Sequence, residues 1–166
     1  MIIRLIGIDP GLRRTGWGII DVDGNRLIHV GHGAIATDGN DPIADRLVTI
    51  HRQIGEIVAA HTPAEAAIED TFVSRDPIAS LKLGHARGAA LVALAGAGLA
   101  CSEYAPNLIK KSVVGRGHAD KRQVAAMVGW LLRFDGKATG DAADALAVAI
   151  THAHHRGAAA LALATR

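Results

Sequence analysis

The segment IIRLIGIDPGLRRTGWGIIDVDGNRLIHVGHGAIAT, residues 2–37, predicts three consecutive β-strands and decides the fold. Residues 2–9 form a short run rich in β-branched side chains, and Pro10-Gly11 ends it. Residues 15–21 and 26–37 supply two more strands, and VDGN at 22–25 contains the Asp-Gly pair typical of a tight hairpin turn. The chain is therefore expected to begin with an antiparallel three-stranded meander.

Helical and strand patterns alternate after the meander. Apolar residues recur at helical spacing from Pro42 to about residue 60, and Pro63 ends the pattern. This order predicts one α/β domain, with a mixed five-stranded sheet flanked by helices, over residues 1–156. A C-terminal tail, 157–166, either extends the last helix or frays. The remaining strands are predicted at 65–70 and 99–104, and the remaining helices at 78–97, 107–113, 121–133 and 141–155.

The composition excludes several classes of protein. Cys101 is the single cysteine among 166 residues, so an internal disulfide is excluded and a reducing compartment is favoured. Arg4 and Asp9 interrupt any apolar leader. The uncharged stretch between Arg87 and Glu103 is shorter than the roughly 20 residues that a membrane span needs. We therefore expect a cytoplasmic protein.

Charge is distributed unevenly along the chain, although the net charge is only +2. Residues 1–74 carry six basic and ten acidic side chains, whereas residues 75–133 carry nine basic and three acidic ones. An acidic cluster facing a basic segment suits a polyanionic partner that approaches bound cations. A solvated surface without a partner explains the same distribution equally well.

Carboxylates stand at the ends of several predicted elements. Asp9 ends the first strand, and Glu69 or Asp70 ends the fourth. Because neighbours on a strand point to opposite faces, only one of Glu69 and Asp70 is expected to face the same site as Asp9. Asp141 and Asp144 lie three residues apart on the first turn of the last helix and therefore share a face. For each acid taken alone, a structural role in a turn, a helix cap or the helix dipole is the favoured explanation.

Taken together, these acids favour a metal site. Two carboxylates about 4 Å apart repel by roughly 4 kcal/mol at an effective dielectric constant of about 20. Divalent cations with oxygen ligands, such as Mg²⁺, remove that repulsion. Two such ions about 4 Å apart are the usual apparatus for in-line attack on a phosphodiester.

Six motifs resemble RuvC, the bacterial Holliday-junction resolvase family, in order over residues 2–155. The resemblance implies a ribonuclease H-like nuclease domain that works as a homodimer with two Mg²⁺ ions per active site, for which Mn²⁺ substitutes. It also implies paired symmetric cuts in four-way DNA junctions and the RuvA–RuvB branch-migration complex as a partner. The motifs are GIDPG (7–11), TGWG (15–18), IEDTF (68–72), LKLGHARG (81–88), YAPNLIKKSVVGRGHADK (104–121) and DAADALAVAITH (141–152).

The resemblance also assigns site residues. It identifies Asp9, Glu69, Asp141 and Asp144 as the metal-binding, catalytic carboxylates, and thereby favours Glu69 over Asp70. Phe72 matches an aromatic residue that stacks on bases near the crossover, although a core phenylalanine is the alternative. The basic residues implied to contact DNA are Lys110 and Lys121, with Lys111, Arg116 and Arg122 as helpers.

Some residues are left without a settled role. Leu12, Trp17 and Asp70 depart from the family pattern, and Asp70 places a further acid beside Glu69. Three histidines lie close together near the end of the predicted last helix: His152, His154 and His155. Histidines near a helix C-terminus are favoured electrostatically, so a zinc site is the less favoured interpretation of this cluster.

Three other functions compete with this interpretation. A phosphotransferase of the actin and sugar-kinase type also has a phosphate loop after its first strand, but it needs a second lobe. A DNA-binding module without catalysis gains nothing from carboxylates placed against phosphate. A small nuclease that processes ribosomal RNA precursors shares the opening GID-x-G, but not LKLGHARG or DAADALA.

Overall fold

A mixed five-stranded sheet forms the centre of the protein in a computed structural model, which describes residues 1–70, 76–117, 119–134, 138 and 140–164. The strand order is β3-β2-β1-β4-β5, with β1 antiparallel to β2 and parallel to β4. This arrangement confirms the predicted meander and mixed sheet. The strands are β1 (Ile2–Asp9), β2 (Arg14–Asp23), β3 (Arg26–Ala36), β4 (Glu65–Glu69) and β5 (Cys101–Tyr104).

Two layers of helices cover the sheet. The helices are α1 (Ile43–His61), α2 (Pro77–Gly96), α3 (Pro106–Val114), α4 (Lys121–Leu132) and α5 (Asp141–Ala164). Helices α1 and α2 pack with Ile6, Ile8 and Ile19 in one apolar core, whereas α3, α4 and α5 pack with Leu5 and Ile20 in another. Side chains alternate between the two faces of a strand, so each strand contributes to both cores.

Glycines on β1 and β2 let α5 lie directly against the sheet. A Cβ atom added to Gly7 would stand 2.3 Å from the backbone oxygen of Ala145, and one added to Gly16 would stand 1.9 Å from that of Asp141. Contacts this close are possible only without a side chain. The glycines therefore fix the depth at which the acidic end of α5 sits.

The C-terminal part of α5 extends past residue 156 to Ala164, so the backbone follows the helical alternative for the first residues of the predicted tail. In the described part of the chain, no helix is long and apolar enough to cross a membrane.

Candidate active site

Three of the four predicted acids line one cleft at the edge of the sheet. Asp9 and Glu69 are the last residues of β1 and β4, which are parallel neighbours and therefore end at the same edge. Asp144 reaches the same place from the first turn of α5. The cleft has a volume of about 200 Å³, and its other charged lining residues are Lys110 and Lys121.

The carboxyl groups of Asp9 and Glu69 interact directly, and both are electrostatically unfavourable in the charged state. Burial, together with the negative charge of Glu69, raises the pKa of Asp9 to about 9. The two side chains share a hydrogen bond, which favours the proton on Asp9. Burial also raises the pKa of Glu69, although Lys121 and Lys110 oppose that change. The positive charges near Asp9 and Glu69 are therefore too few to offset the cost of burying both carboxylates in the charged form.

Asp144 and Asp141 have basic partners instead. Lys121 Nζ donates a hydrogen bond to Asp144 Oδ2 at 3.0 Å, which raises the pKa of Lys121. Arg14 Nε donates to Asp141 Oδ2 at 2.8 Å across 127 positions of sequence. Among the described residues, Asp141 does not line the cleft. The structure therefore brings three predicted acids together and places the fourth beside them, turned towards Arg14.

The acids fit a hard divalent cation by chemistry, although their side chains do not close around one position. Among the residues that the structure describes, no three His, Cys, Asp or Glu side chains are grouped closely enough to hold a metal ion as they stand. The donors at the cleft are carboxylate oxygens, the ligand type that Mg²⁺ and Mn²⁺ prefer. A cation would also relieve the cost of charging Asp9. At Asp141 and Asp144 a cation would compete with the basic partners Arg14 and Lys121.

The predicted DNA-contacting residues fall into two groups. Lys110 and Lys121 line the cleft with the acids. Lys111, Arg116 and Arg122 are exposed on or after α3 and at the start of α4, outside the described lining of the cleft. Phe72 lies outside the described residues.

Asp70 faces away from the acidic cleft. Its Oδ1 lies 3.4 Å from Nη2 of Arg87 on α2, and the same guanidinium group contacts Glu103. Glu69 and Asp70 therefore point in different directions, as strand neighbours do, and Glu69 is the one that enters the cleft.

His152 and His155 make structural contacts in the middle of α5. The expected position near a helix C-terminus is wrong, because α5 continues to Ala164. Both ring nitrogens of the buried His152 are engaged, Nδ1 with the Tyr104 hydroxyl at 2.8 Å and Nε2 with Glu65 Oε2 at 3.0 Å. His155 Nε2 contacts the Ser112 hydroxyl at 2.8 Å. Within the described residues these contacts give no zinc site.

Arg14 contacts the predicted site residue Asp141 and was not among the residues that the sequence predicted. Its signal was the basic pair Arg13-Arg14 directly after the DPG turn, which resembles an ordinary solvated surface. The partner, Asp141, lies so far away in sequence that only the packing of α5 against Gly16 reveals the contact.

The family model for the crossover junction endodeoxyribonuclease RuvC matches residues 5–152. The chain belongs to the RuvC family. RuvC of Rhodopseudomonas palustris strain TIE-1 is 59% identical over 157 residues, covering 95% of this chain and 90% of the relative. RuvC of Nitrobacter hamburgensis is 58% identical over 159 residues, covering 96% and 94%. The match favours RuvC over the phosphotransferase, binding-module and RNA-processing alternatives.

Solved structures agree with the sequence relatives. Thermus thermophilus RuvC in complex with a Holliday junction substrate superposes with a TM-score of 0.88 at 32% identity, covering 95% of this chain and 96% of that one. The yeast mitochondrial Holliday junction resolvase has a TM-score of 0.68 at 11% identity, covering 93% and 79%, and so shares the fold. The ribonuclease H-like fold is therefore confirmed.

Proposed function

We propose that this RuvC family member is an endonuclease that resolves four-way DNA junctions in homologous recombination and repair. The observation that carries the proposal is the cleft where acids from two strand ends and a helix start meet two lysines. Acids next to a phosphate backbone are unfavourable for a protein that only binds DNA, because both are negative. They are useful when cations hold them and the scissile phosphate together.

The site residues divide the work of phosphodiester hydrolysis. Asp9 and Glu69 would hold the cations from the sheet, and Asp141 and Asp144 from the helix. Two divalent cations, Mg²⁺ or Mn²⁺, would supply the Lewis acidity that activates the attacking water and stabilises the leaving oxygen. Lys110 and Lys121 would bind phosphates beside the cut and orient the strand. The products would be a 5′-phosphate and a 3′-hydroxyl.

The remaining parts of the proposal follow from the geometry of the substrate and from the family. A four-way junction has two equivalent strands to cut, and a homodimer supplies two sites related by one two-fold axis. We infer the RuvA–RuvB branch-migration complex as a partner and the bacterial cytoplasm, which holds the chromosome, as the compartment.

The proposal is tested with a synthetic mobile four-way junction and a linear duplex of the same sequence. We expect paired, symmetric cuts in the junction with Mg²⁺ or Mn²⁺, little cutting of the duplex, and none of either with a chelator. End-labelling identifies the product termini. Equal cutting of both DNAs, or cutting that persists in the chelator, would contradict the proposal.

A further inference from the structure

Arg14 contacts a metal-binding candidate without having a role of its own in the proposed reaction. It is the first residue of β2, and its Nε donates to Asp141 Oδ2 at 2.8 Å. Its side chain is 62% exposed, whereas that of Asp141 is 31% exposed. The close packing of Gly16 against the Asp141 backbone sets the distance between the two elements.

The ion pair competes with cation binding at Asp141. A guanidinium that donates to Oδ2 occupies a lone pair of that oxygen, and its positive charge beside the carboxylate opposes the approach of a second cation. Asp141 does not line the described cleft, although Asp144, one turn further along α5, does. The ion pair with Arg14 therefore holds the carboxylate of Asp141 outside the described lining of the cleft.

We propose that Arg14 is a positioning residue that holds Asp141 in the metal-free protein, releases it to the metal, and then binds a phosphate of the junction. This inference rests on the proposed function, because it takes Asp141 as a metal ligand and DNA as the substrate. It assigns a residue that neither the motif analysis nor the acidic cluster includes.

The exposure of the pair makes the exchange possible. Ion pairs in contact with solvent are weak, so a divalent cation can displace the guanidinium from Asp141. The freed side chain would be an exposed guanidinium group beside Asp141, at the start of α5 that also carries Asp144 of the cleft. Its planar fork of donors matches the geometry of a phosphate group better than an ammonium does.

The first test measures Mn²⁺ binding to the full chain without DNA, by calorimetry. Arg14→Gln should bind Mn²⁺ about fivefold more tightly than the wild type, since a competing exposed ion pair is removed. Arg14→Lys keeps the charge and should bind close to the wild-type value. The matched control is Arg13→Gln, which removes the same charge from the exposed neighbour and should change the affinity little. Equal affinities of wild type and Arg14→Gln would overturn the inference.

The second test measures the salt dependence of junction binding, with Ca²⁺ or with a chelator, on DNA recovered uncut. With Ca²⁺, the slope of log K against log salt should be smaller by about 0.9 in Arg14→Gln than in the wild type, for one lost phosphate contact. With chelator, the two slopes should agree, because Arg14 is then held by Asp141. Equal slopes in Ca²⁺, or a difference that persists in the chelator, would overturn the exchange.

Failure of the inference can be told from failure of the proposed function. If the wild type cleaves junctions and binds Mn²⁺, but Arg14→Gln alters neither binding measurement, only the role of Arg14 is wrong. If the wild type binds no Mn²⁺ and Asp9→Asn gives the same result, the metal site itself is wrong and the inference falls with it.

Discussion

The acids of the sheet and the acids of the helix meet at one site but are stabilised differently. Asp9 and Glu69 share a hydrogen bond with each other, and burial raises the pKa of both. Asp141 and Asp144 each hold a basic side chain within hydrogen-bond distance. The comparison shows that the two strand ends place carboxylates side by side without a hydrogen-bonded cation, whereas each of the two helix carboxylates accepts a hydrogen bond from a basic side chain.

The comparison predicts the largest effect at Asp9, the residue at which the need for a cation is greatest. Asp9→Asn keeps the shape of the side chain but removes its charge, so cleavage should fall by more than about 100-fold, since even outer-shell partners of metal ligands cost about 10–100-fold. Junction binding in the presence of chelator should remain. Gel assays of cutting and binding provide the two measurements.

The control for Asp9 is Asp23→Asn at the end of β2, because Asp23 is exposed and pairs with Ile2, at the end of β1 opposite to Asp9. That variant should cleave like the wild type. Full cutting by Asp9→Asn would show that the sheet pair does not hold the metal.

Gly16→Ala should have the next largest effect on cleavage, because it displaces the two acids of α5, Asp141 and Asp144, without replacing either of them. The added Cβ would stand 1.9 Å from the Asp141 backbone oxygen, so the start of α5 must shift. We expect a loss of about 1–3 kcal/mol in unfolding free energy. Misplaced ligands should lower cleavage by about 10–100-fold.

Gly55→Ala is the matched control for that substitution. Gly55 lies inside α1, and a Cβ there meets no atom within 4 Å. Its unfolding free energy should rise by about 0.5–1 kcal/mol, because alanine favours the helix, and its cleavage should not change. Similar behaviour of the two variants in denaturant titrations would contradict the close seating of α5.

The sequence was sufficient for the fold and for much of this site because both depend on local patterns. Alternating strand residues and the Asp-Gly turn predicted the meander, and acids at element ends predicted the cleft. The choice of Glu69 over Asp70 needed the family resemblance, since the strand pattern alone leaves the facing residue open. The structure places Glu69 in the cleft and Asp70 near Arg87.

The pairing of the helix acids could not be predicted, because it depends on packing between distant segments. The ion pair between Arg14 and Asp141 joins residues 127 positions apart and requires Gly16 to admit the helix. Nothing in the LRRTG segment indicates that Arg14 is directed to α5 while Arg13 is not. Sequence patterns thus identify the acids of this site but do not predict which basic side chains pair with them.

A smaller effect is expected from pH. The Mg²⁺ affinity should depend on the protonation of the two sheet acids, Asp9 and Glu69. The pKa of Asp9 is about 9 in the metal-free protein, so Asp9 is protonated at neutral pH and a cation must displace that proton. The apparent Mg²⁺ affinity should therefore rise with pH, by up to about tenfold per unit below pH 9. Calorimetry in buffers of different ionisation enthalpy measures the proton released.

The same pKa determines how the stability of the metal-free protein depends on pH. Since the folded-state value of about 9 exceeds the ordinary value of 3.8, folding takes up a proton between these two pH values. The free energy of unfolding should thus decrease as pH rises through that window, and Asp9→Asn should flatten the dependence. For the metal affinity predicted above, a value that does not change between pH 6 and 8 would contradict a protonated Asp9.

The smallest effect is expected at Lys121, the basic partner of the helix acid inside the cleft. Lys121→Ala should reduce cleavage about fivefold through one lost phosphate contact and lower the salt slope of junction binding by about 0.9. The measurements need saturating Mg²⁺ for cleavage and Ca²⁺ for binding, because freeing Asp144 also changes the metal affinity.

The neighbouring residue Arg122 provides the comparison for Lys121. Arg122 is exposed outside the described lining of the cleft, so Arg122→Ala should lower both quantities less. If the two variants behave alike, the contact of Lys121 with Asp144 does not determine which basic residue reaches the scissile phosphate.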